Sequence, residues 1–508
     1  ERYKNGEIVI ETLQKYLALE NKFVNPPKIT LKLISKPPIG DLIGAESIAA
    51  STAIQCYAPG VAKMIERIDD KALGIAESTL EGGHHTTRLH TNYTWQIVGA
   101  TRSVTHDVFH STPFYNSEQQ SQRYVEAKDG NYLMPKDLSS EQSMHFYKSA
   151  DFANKSYFHM LDKLKPEVED RVKKMNPEGG WKVKTTAERL NSKSQKLTQE
   201  IARYVLPIGQ FTNYFHTLGE LQLLRLFRAS KFPNFTDEAR FIIAKMITEV
   251  ANHDQSILKE LESPLTNNLN NYSNLDKEKF DSFLGGKFSK LVSSSIDDMR
   301  EIDIKKSLKT LADVYDTGMF DPEVSTMRSS WLTFVTKISH AGDSQRQRHR
   351  RTGASAADIE SIYTGEPDYM TPLVIRENPE LSMAYSIVIK KMFENVDLAI
   401  KMNIPKEYSF LLLPNAITVR VKEAGDLFDW VHRWKQRLCY LAQEEIFFAS
   451  LDQVRDVEKI MPEIKQMLLA PCGIRMAAGV SPRCPEGSRW CGQPVYNWQL
   501  DQYEKHRL

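Results

Sequence analysis

Tyr93-Thr94-Trp95 is followed by Ile97, Arg102, Thr105-His106 and later Tyr132-Leu133-Met134-Pro135, while Trp331-Leu332-Thr333-Phe334 is followed by Ile338, Ser339-His340 and later Tyr369-Met370-Thr371-Pro372. Trp95 and Phe334 are 239 positions apart and Pro135 and Pro372 are 237 apart, so the two stretches run nearly in register. Self-similarity over such a span reads as one domain written twice. A third pair, Leu206-Pro207 and Leu413-Pro414, is offset by 207, so the first copy carries roughly 30 extra residues between its anchors. They fall between Lys163 and Gln199, where Lys165 to Lys174 and Gly179-Gly180 read as a solvated helical excursion and loop.

Length and composition agree with two such units. The 508 residues are enough for two ordinary domains, and a hydrophobic fraction of 41% with 26% charged residues is that of a globular chain. Sixty-six Lys+Arg against 65 Asp+Glu leave a net charge of +1. No global field gathers nucleic acid or a membrane surface, so an anionic ligand must be held by a local group of arginines. Five cysteines in this length form no disulfide framework, which points to a reducing, cytoplasmic compartment. The longest apolar runs, such as Phe410-Leu411-Leu412-Leu413, fall far short of a membrane helix, and no basic-then-apolar leader is expected.

Apolar spacing of three to four predicts helices around 41–70, 141–163, 187–230, 236–262, 276–315, 381–403, 421–450 and 453–469. Alternating runs near 28–34, 93–98 and 332–338 predict strands. The fold class expected is α+β, helix-rich, with two tandem units that are each a small mixed sheet covered by helices. The boundaries expected are a first unit over 1–262, a linker over 263–277 rich in Asn and Ser, a second unit over 278–469 and a tail over 470–508.

The motifs between these anchors resemble those of the flavin-dependent thymidylate synthases. The first copy has His84-His85-Thr86-Thr87, His90 and Tyr93-Thr94-Trp95, then Ser121-x-Arg123-Tyr124; Phe109-His110-Ser111 stands where the family writes Arg-His-Arg. The second copy keeps Arg348-His349-Arg350, fourteen residues after Phe334, but has Asp358-Ile359-Glu360 in place of Ser-x-Arg-Tyr. Ala202-Arg203-Tyr204-Val205-Leu206-Pro207 matches the family's Ala-Arg-x-x-Leu-Pro, whereas Phe410 replaces that arginine in copy two. Arg437 and Ala442-Gln443-Glu444-Glu445-Ile446 match the family's later Arg and Ala-Gln-x-Glu-Ile, whereas copy one has Ser230 at the arginine position. Each half lacks what the other keeps, so the resemblance implies one complete nucleotide pocket assembled from two incomplete halves.

A nucleotide phosphate is best held by guanidinium groups through charge-assisted, bidentate bonds. The resemblance puts Gln119, Ser121, Arg123, Arg203 and Arg437 on dUMP; an isolated arginine would otherwise be a surface ion pair worth about 0–1 kcal/mol. Arginines crowded at Arg346, Arg348, Arg350 and Arg351 repel one another unless something negative compensates them. By resemblance Arg348, His349 and Arg350 hold the flavin of FAD, with His84 and Thr86 beside it and Arg225 and His432 at the position of a cofactor-contacting asparagine. The bland reading of the same run is a nucleic-acid patch or a solvated helix face. Cys472, Cys484 and Cys491 offer three of the four ligands a structural zinc takes, the alternative being a folded cap with buried free thiols.

The activity implied is methylation of dUMP to dTMP, with methylene-tetrahydrofolate as carbon donor and NADPH-reduced FAD as hydride source, and no covalent nucleophile from the protein. The competing readings are methylation or hydroxymethylation of another pyrimidine nucleotide on this scaffold, and a nucleotide-binding protein that has lost its flavin. The doubled chain is expected to form a homodimer that mimics the family's tetramer, with dUMP and folate as partners and no nucleic acid or membrane.

Overall fold

The computed structural model describes residues 11–34, 45–55, 59, 70–82, 85–110, 115–175, 187–261, 276–296, 303–313 and 317–505. The chain forms two compact units: residues 1–121, 131–147 and 209–272 make the first, and 122–130, 148–208 and 273–508 make the second. The sequence-based boundaries follow chain order, but the second unit takes in residues 122–130 and 148–208 of the first copy. Most of the expected linker lies outside the described residues.

Strands β1 (Lys28–Ile34), β2 (Asn92–Thr101), β3 (Asn116–Gln119) and β4 (Phe211–Gly219) form the sheet of the first unit in the order β1-β2-β4-β3. Strands β5 (Ser289–Ser295), β6 (Trp331–Ser339), β7 (Gly353–Ala356) and β8 (Thr418–Asp426) repeat that topology in the second unit as β5-β6-β8-β7. One irregularity corresponds, a register shift between Leu31 and Leu33 in β1 and between Leu291 and Ser293 in β5, while β2 has a further shift between Val98 and Ala100 that β6 lacks. The fold class is the expected helix-rich α+β with two units. Every pairing is antiparallel, however, where a mixed sheet was expected.

The strands read from alternation are present because one face of each is dry. Tyr93, Trp95 and Ile97 of β2 are buried, and Trp95 Nε1 donates to Met246 O at 3.2 Å in the helix Asp237–Ala251. In β6, Leu332, Phe334 and Ile338 are buried, and Phe334 meets Trp430 edge-on at 4.8 Å. Trp430 stacks on Trp434 at 5.7 Å within the helix Leu427–Arg437, which Asp426 caps by accepting from Asp429 N at 2.8 Å.

Strands β4 and β5 fall inside stretches whose spacing predicted helix, and β8 overlaps the start of another. In β4 the buried face is Thr212, Tyr214, His216 and Leu218, but the outward face carries Phe215, which is 46% exposed and disguises the period of two. In β8 the buried positions include Arg420 and Glu423, which a hydrophobic pattern cannot register. Both are neutralised by ion pairs: Arg420 Nη2 lies 2.5 Å from Asp281 and 2.7 Å from Asp368, and Glu423 lies 2.8 Å from Arg346 and from Arg433.

The expected excursion between Lys163 and Gln199 is helical in Ser140–Met175 and Ala187–Ala202, with 176–186 outside the described residues. It is less solvated than its charge suggests, because Leu164, Val168 and Val172 are fully buried. The segment after 469 packs into the second unit. Ile474, Cys491, Val495, Leu500 and Tyr503 belong to the core of the second unit, where Tyr440 Oη donates to Tyr503 O at 2.9 Å.

The two Leu-Pro anchors meet within the second unit. Pro207 and Pro414 form an antiparallel bridge, with Ile208 N donating to Leu413 O at 2.8 Å and Asn415 N donating to Leu206 O at 2.7 Å.

Candidate active site

The second unit contains a cavity of about 460 Å³ whose wall draws on both sequence copies. Arg123, Lys193, Lys196 and Glu200 come from the first copy, and Arg437 with Cys439 to Ala442 supplies the facing wall. Arg123 Nε donates to Glu200 Oε2 at 2.5 Å, and Arg123 Nη2 donates to Leu441 O at 2.7 Å. These bonds fix the guanidinium rather than leaving it to sweep the surface, which is the preorganisation that anion recognition requires.

Arg437 ends the helix Leu427–Arg437 and faces two cavities, the first with Arg123 and a second of about 570 Å³ lined also by His432, Lys435 and Arg475. Its Nε donates to His349 Nε2 at 2.6 Å and its Nη2 to Gln345 O at 3.1 Å. Burial, with Arg433, Arg123 and Arg348 close by, pulls the Arg437 guanidinium down to about 9. Burying a guanidinium among other cations is costly, and a bound anion would offset that cost.

The Arg-His-Arg turn follows the helix His340–Arg346. Arg348 is exposed at its tip, while His349 and Arg350 are half-buried. Burial beside Arg437 and Arg433 holds His349 well below the usual imidazole range, so it is neutral. Accepting from Arg437 at Nε2 places its single proton on Nδ1, a fixed donor. His432 lies across from it, with ring centroids 6.4 Å apart.

Part of the charge in this run is balanced from within. Arg346 Nε donates to Asp343 at 2.5 Å and its Nη1 to Glu423 at 2.8 Å, while Arg433 Nη1 reaches the same Glu423 oxygen at 2.8 Å. The turn is thus pinned to β8, and Gly425 leaves room beside it: a Cβ there would meet Thr352 Cγ2 at 2.8 Å. Motif alignment singled out neither Asp343 nor Glu423; an arginine crowd in a neutral chain was the available signal.

Arg203 stands behind the cavity wall rather than on it. It is 2% exposed, and its Nη2 donates to Gln443 Oε1 at 2.5 Å. Gln345 Nε2 shares that acceptor at 2.5 Å, and Gln443 Nε2 donates to Tyr204 Oη at 2.6 Å. Tyr204 in turn bonds Glu445, which accepts from Ser339 N at 2.6 Å. The Ala-Gln-x-Glu-Ile match therefore contributes a buried polar frame that ties first-copy Arg203 and Tyr204 to the second copy's strand end.

Other sequence candidates belong to the first unit. Gln119 ends β3 and its Nε2 donates to Thr105 Oγ1 at 3.3 Å, and Ser121 is half-buried two residues later. Arg225 Nη2 lies 3.2 Å from His85 Nδ1, with Thr86 exposed next to it, so these flavin candidates share a neighbourhood. His84 lies outside the described residues.

Among the described residues, no group of three or more His, Cys, Asp or Glu is arranged to hold a metal ion. Cys472, Cys484 and Cys491 instead surround, with Cys439, a small apolar cavity of about 20 Å³, and burial pushes all four thiols up. They are free cysteines. No helix among the described residues is long and apolar enough to cross a membrane.

Fold and site together define a duplicated α+β protein whose second unit presents a guanidinium-lined cavity. The family model described as thymidylate synthase complementing protein matches residues 39–254 and again 287–463, so the chain belongs to that family, the flavin-dependent thymidylate synthases. The flavin-dependent thymidylate synthase of Clostridium tetani is 26% identical over 228 residues, which is 44% of this chain and 82% of that protein. The protein of the same name from Nitratidesulfovibrio vulgaris is 37% identical over 89 residues, 16% of this chain and 36% of that one. A solved UMP/dUMP methylase, PolB from Streptomyces cacaoi bound with 5-Br dUMP, is 15% identical with a TM-score of 0.32, covering 46% of this chain and 94% of that one.

Proposed function

We propose that the chain is a flavin-dependent thymidylate synthase that methylates dUMP at C5, and that its nucleotide site is the cavity between Arg123 and Arg437. The observation that carries this reading is the position of Arg437, which lines that cavity with Arg123 and at the same time holds His349 of the Arg-His-Arg turn at 2.6 Å. Nucleotide and cofactor groups are thereby brought to adjoining surfaces of one unit.

The residues around the second cavity suit a flavin. Lys435, Arg437 and Arg475 outnumber Asp313 and Glu486 in its lining, and Arg437 joins it to the Arg-His-Arg run, where His349 presents a fixed Nδ1 donor and Gln347 Oε1 is buried without a hydrogen-bond partner. FAD, once bound and reduced by NADPH, supplies the hydride, while methylene-tetrahydrofolate is the carbon donor. The chain's own work is then to bind and orient. Arg437 and Arg123 neutralise the nucleotide phosphate, each charge-assisted bond contributing about 1.5–3 kcal/mol. Arg348 and Arg350 set positive charge beside the cofactor, where developing negative charge is stabilised. Glu423 and Asp343 keep Arg346 and the turn in place and touch neither ligand. A homodimer is the assembly this reading expects.

The test is expression of the intact chain in a thymidine-requiring strain, with flavin content measured on the purified protein. Growth without thymidine and release of FAD on denaturation are expected. A colourless protein that neither takes up FAD nor restores growth overturns the reading.

A further inference from the structure

The wall of the 460 Å³ cavity carries five cations, Arg123, Lys193, Lys196, Arg437 and Arg489, and two carboxylates, Glu200 and Glu486. The carboxylates are already engaged: Glu200 holds Arg123 at 2.5 Å and Glu486 holds Arg489 at 3.2 Å. Among the described residues, Lys193, Lys196 and Arg437 face the cavity with no carboxylate of their own. Lys193 Nζ donates to Cys491 O at 2.8 Å, and burial lowers its proton affinity. Lys196 Nζ lies 5.7 Å from the Tyr124 ring centroid, and Arg123 Cζ lies 5.6 Å from the same ring. A desolvated ammonium that meets only a carbonyl is costly unless a ligand supplies the charge.

Both lysines lie on the helix Ala187–Ala202, at the end of the extra stretch in the first copy. Across the cavity stand Glu486, Arg489, Trp490 and Cys491, from the segment beyond the family match. The two segments hold each other, through Lys193 to Cys491 O and through Gln493 Nε2, which bonds Met175 O. Three uncompensated cations match a phosphate monoester, which carries about two negative charges at neutral pH.

We infer that Lys193 and Lys196 form, with Arg437, the phosphate subsite of this cavity, and that the segment 486–491 closes it from the far side. This rests on the nucleotide reading above and adds to it residues that the resemblance does not supply. The subsite recognises a phosphate monoester dianion and is indifferent to the base.

Titration of the full chain with dUMP and with 2′-deoxyuridine, plus thermal melting in inorganic phosphate, tests it. Lys196→Met removes an exposed side chain and leaves the fold intact; Lys193→Met removes the half-buried one, and Lys193→Arg restores its charge. Each Met variant should weaken dUMP roughly tenfold or more, leave deoxyuridine unchanged and lose the stabilisation by phosphate, and Lys193→Arg should recover most of it. Unchanged dUMP affinity in Lys196→Met, or equal weakening of dUMP and deoxyuridine, overturns the subsite. Wild-type protein that phosphate stabilises through both lysines but that ignores dUMP would keep the subsite and remove the pyrimidine reading.

Discussion

Arg437 Nε donates to His349 Nε2 at 2.6 Å, so a residue read as a nucleotide ligand and one read as a flavin ligand are joined directly. Truncation at either end of this bond should be felt at both sites. Arg437→Ala is expected to weaken dUMP roughly tenfold or more and to lower the FAD retained on purification. Arg437→Lys keeps the charge but loses the fork that reaches His349 and Gln345, so it should recover part of the nucleotide affinity and little of the flavin. Calorimetric titration and the absorbance of released FAD report the two effects separately.

Glu423 is the shared anion of two buried guanidinium groups, Arg346 and Arg433, and is itself fully buried. Glu423→Gln removes the charge that both require, and breaking a buried network of this kind costs about 3–5 kcal/mol. Urea unfolding should show that loss, together with a flavin-depleted protein. Strand register makes the position instructive. Phe334 pairs with Glu423 as Trp95 pairs with His216, and the counterparts of Arg346 and Arg433 in the first copy are Val108 and Leu226. The whole triad is absent from the copy that also lacks Arg-His-Arg.

Neutral, half-buried His349 makes stability depend on pH. Its proton affinity is depressed in the fold, so below about pH 6.5 the unfolded chain binds a proton that the folded chain refuses. Its contribution is complete above that pH and falls as pH drops. Between pH 7.5 and 5.5 the wild-type melting temperature should decline more steeply than that of His349→Asn, which lacks the titrating ring. Parallel declines would show that His349 carries no such linkage.

How much of this was legible depended on which groups were buried. Trp95 and Phe334 revealed β2 and β6 because dry faces alternate with wet ones. β4 and β8 escaped because Phe215 is outward and Arg420 and Glu423 are inward, so the hydrophobic pattern followed the burial only in part. At the site, motif residues Arg123, Arg437 and His349 were visible from their types and spacing. Glu200, Glu423 and Lys193 were not, since their roles arise from partners 77, 77 and 298 positions away. Arg203 was visible but its place was not: a carboxamide acceptor, Gln443, draws it behind the wall.

The claim that one chain builds one nucleotide site from both of its copies is tested most directly by titrating dUMP into Arg123→Ala, into Arg437→Ala, and into the two variants co-expressed as mixed assemblies. Both variants should lose dUMP binding, and the mixture should not regain it, because Arg123 and Leu441 are bonded within a single unit. Wild-type affinity in either variant, or recovery of high-affinity sites in the mixture, would contradict the account.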